Sequence, residues 1–143
     1  VAVLPQPFAT VAQTQVEGLH TVMDLNEAWN ALDNGSQIVT GVIVARTEFV
    51  EKYPKHVEAF LIEYSESIDY VVNNPADAAT LIENVGNVKA AVAEKALPYC
   101  NITYLDGDEM KNAVNGYLTV LYEQNPKAVG GELPGDNFYY TGK

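Results

Sequence analysis

A helix-rich α/β chain is what this sequence predicts, and three observations carry that expectation. Residues 38–46, IVTGVIVAR, are β-branched almost throughout and do not alternate with polar residues, the pattern of a strand covered on both faces. Val57, Phe60, Leu61, Tyr64, Ile68, Val71 and Val72 recur at three-and-four spacing, which places them on one face of a long helix. The same spacing returns in Met110, Ala113, Val114, Tyr117, Leu118 and Leu121.

Composition sets the outer limits. A chain of 143 residues with 48% hydrophobic content can bury a core and is too apolar for disorder. Nineteen acidic residues against eight Lys and Arg give a net charge of -11, which argues against nucleic acid, because phosphates are held by clustered cations. The longest apolar run, around residues 39–45, is too short to cross a bilayer. The single cysteine, Cys100, permits no internal disulfide and decides little about compartment.

The elements follow in order. Residues 1–4 read as a short buried strand that passes through Pro5-Gln6-Pro7 into a helix over 8–15. Pro7 suits the first helical position, where its missing N–H would have gone unpaired anyway. Residues 19–25 read as a second strand, and Asp24 with Glu27 fits a capping box that opens a short helix carrying Trp29 and Leu32. Asn34-Gly35 supplies the positive φ of a turn before the strand at 38–46. Thr47 caps the next element, Pro54 enters the long helix, and Asn74-Pro75 ends it and starts another that stops at Gly86. A helix over 90–97 precedes Pro98, and a short extended piece then leads to a helix over 108–124. The tail is turn-rich and carries Phe138, Tyr139 and Tyr140. Phe60, Tyr64, Ile68, Val114, Tyr117 and Leu121 are expected in the core. The strand at 38–46 wants a neighbour on each side, so its partners are expected outside this chain.

Catalytic sets are hard to assemble from these residues. His20 and His56 lie on different elements with no metal-ligand spacing to each other or to Cys100, and no metal site is expected. The acidic run Asp106 to Glu109 lacks the ligand spacing of a calcium loop and fits a helix start, with Asp106 and Glu109 as the capping pair. Cys100 has no base or cation nearby in sequence and reads as a small buried hydrophobe.

The opening turn is the candidate binding site. A strand end that meets a helix N-terminus is where open α/β sheets bind ligands, so Gln6, Pro7 and Phe8, with the backbone N–H groups after Pro7, are expected to contact a small molecule. The other reading of that turn is a rigid junction that packs Phe8 into the core. Thr40 and Gly41 are secondary candidates, where small residues either admit a ligand to the backbone or let the chain hinge.

Taken in order, VAVLPQPFAT, MDLNEAW, GVIVARTEFVEKYPKHVEAFLIEYSESIDYVVNNPADAATLIENVG and MKNAVNGYLTVLYEQNPKAVGGELPGDNFYY resemble the carboxyl-terminal half of ABC-transporter substrate-binding proteins. The branch is the nitrate, sulfonate, taurine and thiamine-precursor type. The resemblance implies a periplasmic-binding-protein type II fold, two α/β lobes around a ligand cleft, of which this chain is the helix-rich carboxyl-terminal half. On that basis residues 1–35 end the second lobe, 36–46 form a crossover strand, and 47–143 supply helices of the first lobe. The amino-terminal half of the protein is then a missing partner.

The implied function is an extracytoplasmic carrier, periplasmic or lipid-anchored, which is not an enzyme and needs no cofactor. It passes a small neutral or anionic solute to ABC permease subunits. Related sequences often carry PEPF where this one has PQPF, and the neutral Gln6 carboxamide does not repel anions. Two alternatives share the fold. One is a pyrimidine-precursor-synthase-like enzyme, whose cysteine-rich loop has no counterpart beside a lone Cys100; the other is a ligand-sensing interaction module.

Overall fold

The structure, a computed structural model, describes residues 1–86 and 88–142. Regular structure among them is entirely helical: α1 (Phe8–Gln15), α2 (Leu25–Asn30), α3 (Thr47–Lys52), α4 (Pro54–Asn73), α5 (Pro75–Asn84), α6 (Ala90–Ala96) and α7 (Gly107–Gln124), with 3-10 turns at Leu97–Tyr99, Pro126–Val129 and Asp136–Phe138. The chain divides into two compact units. One is Val1–His20 with Tyr53–Tyr104, and the other is Thr21–Lys52 with Leu105–Lys143.

In the first unit α5 packs on α6, and each helix buries two alanines: Ala78 and Ala79 on one, Ala93 and Ala96 on the other. Side chains this small let helix axes approach closely. Glu83 fastens the junction by accepting from the Ala90 N–H at 3.0 Å and pairing with Lys89 at 3.2 Å. Helix α1 packs on α6 and α4 on α5. Pro54 and Pro75 each stand at the start of their helices, as the sequence predicts, and the φ of +80° at Gly86 follows the end of α5.

The α4 stripe is only partly covered. Val57 is buried, Leu61, Tyr64, Ile68 and Val71 are half-buried, and Phe60, expected in the core, is 47% exposed. Its ring stacks on Tyr64 instead, with centroids 5.6 Å apart and planes at 11°. Tyr64 in turn meets Tyr104 edge-on at 6.1 Å.

The second unit is organised on α7, where Val114 is buried and Tyr117 and Leu121 are half-buried. Asp24 caps α2 by accepting from the N–H groups of Asn26 at 2.8 Å and Glu27 at 3.2 Å. The turn after α2 has positive φ at Asp33 and Gly35, and the Asn34 side chain accepts from the Ser36 N–H. Trp29 lies 5.5 Å from the Tyr117 ring and donates its Nε1–H to Ser36 Oγ at 2.9 Å. The tail folds onto α7 so that Lys111 pairs with Asp136 at 2.8 Å and Tyr139 is buried, its hydroxyl 3.4 Å from Asn115 Oδ1. Asp106 takes the position before α7 that the sequence predicts, without a side-chain capping bond.

The α/β expectation is corrected. Residues 1–4, 19–25 and 38–46 form no β-ladder, so the chain is of a helix-rich class and does not show a two-lobe periplasmic-binding-protein fold. A ladder needs a second extended backbone alongside, and in each unit the other regular elements among the described residues are helices. The apolar side chains meant for strand faces are left in solvent: Val3 is 79% exposed and Val44 likewise 79%.

Candidate functional site

The opening turn forms as a strand-free junction. Pro7, with φ of -86° and ψ of 2°, is the residue before α1, one place earlier than expected, and Phe8 begins the helix. Phe8 is 62% exposed, which removes the reading in which it packs into the core. Gln6 and Pro7 are half-buried.

The donors expected to be free here are largely occupied. The Ala9 N–H donates to Pro5 O at 3.1 Å and the Val11 N–H to Pro7 O at 3.0 Å. Gln6 Oε1 accepts from the Thr10 N–H at 3.3 Å and from the Thr10 hydroxyl at 2.8 Å. Gln6 therefore caps α1 from the residue before Pro7, satisfying one of the unpaired N–H groups of the first turn. Thr10 is the partner of Gln6 that the sequence reading missed. Its signal was spacing, since a polar residue four places after Gln6 lies on the same helix face.

Gln6, Thr10 and Gln13 share that polar face of α1. Its lower part borders a recess of about 420 Å³ lined by Thr10, Gln13 and Thr14 on one side and by Glu94, Lys95 and Tyr99 on the other. The volume falls within the range of small-molecule pockets. Tyr99, 63% exposed, offers a ring face, while the adjacent Glu94 and Lys95 supply both signs of charge.

Thr40 and Gly41 belong to the second unit, whereas the turn with the other candidates belongs to the first, and both residues are exposed. Nothing lies within 4 Å of where a Cβ on Gly41 would stand, so its backbone is open to approach. Cys100 is half-buried, with Sγ 3.3 Å from Ala96 O, and burial pushes its thiol up, away from the thiolate that nucleophilic chemistry needs. Among the described residues no group of three His, Cys, Asp or Glu side chains could hold a metal ion, and no helix is long and apolar enough to cross a membrane.

A model of a biosynthetic protein family matches residues 8–123 of this chain. That family is described as menaquinone biosynthesis, and the chain belongs to it. Comparisons with curated proteins and with solved structures gave no match.

Membership corrects the resemblance to ABC-transporter substrate-binding proteins. The match takes in most of the segments on which that likeness rested, and it assigns them to a biosynthetic family. A carrier function, a non-enzymatic role and partnership with permease subunits fall with it. Of the alternatives, the enzyme is the closer, though not specifically as a pyrimidine-precursor synthase. The quoted segments consist of helix faces, proline junctions and turns. Such features report architecture, and architecture does not fix function.

Proposed function

We propose that this protein acts as an enzyme, or as part of one, in the making of menaquinone, with a small precursor of the quinone ring bound at the α1 turn. The family match over residues 8–123 carries this reading. Menaquinone is a naphthoquinone, flat and apolar on its faces and bearing oxygens at its edge. The turn is complementary in kind: Phe8 exposes an aromatic face, and the half-buried Gln6, two residues earlier, carries a carboxamide.

Deletion of the gene from its source organism, followed by extraction and chromatography of the quinones, tests this function. Menaquinone should disappear, a precursor should accumulate, and the intact gene should restore the pool. Unchanged menaquinone content would overturn the reading.

A further inference from the structure

We infer that Thr10 locks the Gln6 carboxamide with its amino group outward, so that the α1 turn selects ligands presenting a hydrogen-bond acceptor. This rests on the proposal that the turn holds the substrate, and it names the polarity of what binds there.

The orientation is dictated by hydrogen-bond chemistry. A backbone N–H can only donate, and the Thr10 N–H lies 3.3 Å from the near end of the carboxamide. Were the amide turned over, two donors would face each other. The near atom must therefore be the oxygen, and the Thr10 hydroxyl reinforces it at 2.8 Å. Thr10 is only 6% exposed, so water does not compete freely for its hydroxyl. The other end, Nε2, makes no hydrogen bond among the described residues. Gln6 thus has its accepting capacity engaged inward and its two N–H bonds left for a ligand. The carboxamide therefore suits a molecule with a carbonyl or carboxylate oxygen at its edge and disfavours one that can only donate there.

Thr10 acts here as a positioning residue. The test uses the full chain and two flat probes uncharged at pH 7: 1-acetonaphthone, which only accepts hydrogen bonds, and 1-naphthylamine, which chiefly donates them. Binding is read from the Phe8 backbone amide by NMR titration, which confines the readout to the turn. Wild type should bind the ketone about fivefold to tenfold tighter than the amine, the range expected of one well-placed hydrogen bond. Thr10→Val, which removes the hydroxyl and keeps the backbone N–H, should weaken this preference, and Thr10→Ser should restore it in full. Gln6→Glu, which presents an accepting oxygen outward, should reverse it. Equal binding of the two probes by wild type, or a preference that Thr10→Val leaves undiminished, overturns the lock and leaves the proposed site standing. If neither probe shifts Phe8, the site at the turn falls, and this inference with it.

Discussion

The indole N–H of Trp29 donates to the hydroxyl oxygen of Ser36 at 2.9 Å, and that hydroxyl passes its own hydrogen to Asn34 Oδ1 at 2.7 Å. One short chain of bonds therefore ties α2 to the turn that follows it. Trp29 is the single tryptophan of the chain, so its fluorescence reports this corner. Ser36→Ala should cost about 1 kcal/mol, the usual net worth of one hydrogen bond. Urea denaturation followed by Trp29 emission measures it, with the native emission shifted to the red as water replaces Ser36. An unchanged midpoint and spectrum would show that the bond contributes nothing.

Gly116 lies inside α7 with a helical backbone, and a Cβ there would stand 3.4 Å from the Ser36 Cβ. That is contact without collision. Gly116→Ala should therefore gain helix propensity, raising stability by about 0.5–1 kcal/mol. Gly116→Leu should reverse the sign by pushing the turn off α7, costing about 1–3 kcal/mol. Thermal melts of the two variants distinguish a close fit from a loose one.

Phe60 is 47% exposed and stacked on Tyr64, so Phe60→Ala should cost about 1–2 kcal/mol, not the ~3–5 kcal/mol of a fully buried phenylalanine. Chemical denaturation checks this, and a loss above about 3 kcal/mol would mean that the α4 face is covered in solution.

Acid should loosen the tail before the helices. The hydrogen bond from Lys111, followed by its charge, holds the Asp136 carboxyl below the usual aspartate range. A depressed carboxylate contributes stability that is present above its unfolded pKa and is lost as pH falls through the folded one. Lys111 is raised by the same bond, so its share is lost only at alkaline pH, as pH rises through the folded value. The Tyr139 ring, with Lys111 Nζ 5.8 Å from its centroid, should register the acid step in an NMR pH titration. The midpoint should lie below the ordinary aspartate value and return to it in Lys111→Met. Because Asp136 is 93% exposed, salt should weaken the effect.

Gln6→Ala should cost about 0.5–2 kcal/mol of stability through loss of the α1 cap, read as a lower melting temperature. A normal melt would instead leave the carboxamide free of any structural duty.

Helix positions were legible because their signals are local. Pro54, Pro75, Asp24 and Gly86 each act within one turn of where they stand, and the structure uses all four where the sequence puts them. The β-branched run at 38–46 was legible only as a demand: its composition asks for neighbours, and composition cannot supply them. Phe60 was misjudged for a related reason. Periodicity shows that a face is apolar without showing what covers it. At the turn, Gln6 and Phe8 could be named from the strand-to-helix pattern, but the occupation of the Gln6 oxygen by Thr10 could not. That bond depends on a side-chain rotamer, which spacing does not specify.

The uncovered run at 38–46 also governs how the protein behaves in concentrated solution. From Ser36 to Thr47 the chain carries no acidic residue, although the whole bears a net charge of -11. Mutual repulsion keeps chains apart at low ionic strength, yet these bare β-branched residues retain open backbone groups on which another chain can template. Raising the salt shortens the reach of the repulsion and leaves that attraction intact. Gly41, the one glycine within the run, is the residue that interrupts it. Replacing it with valine would lengthen the sticky tract and carry the protein toward fibrils without altering a single helix.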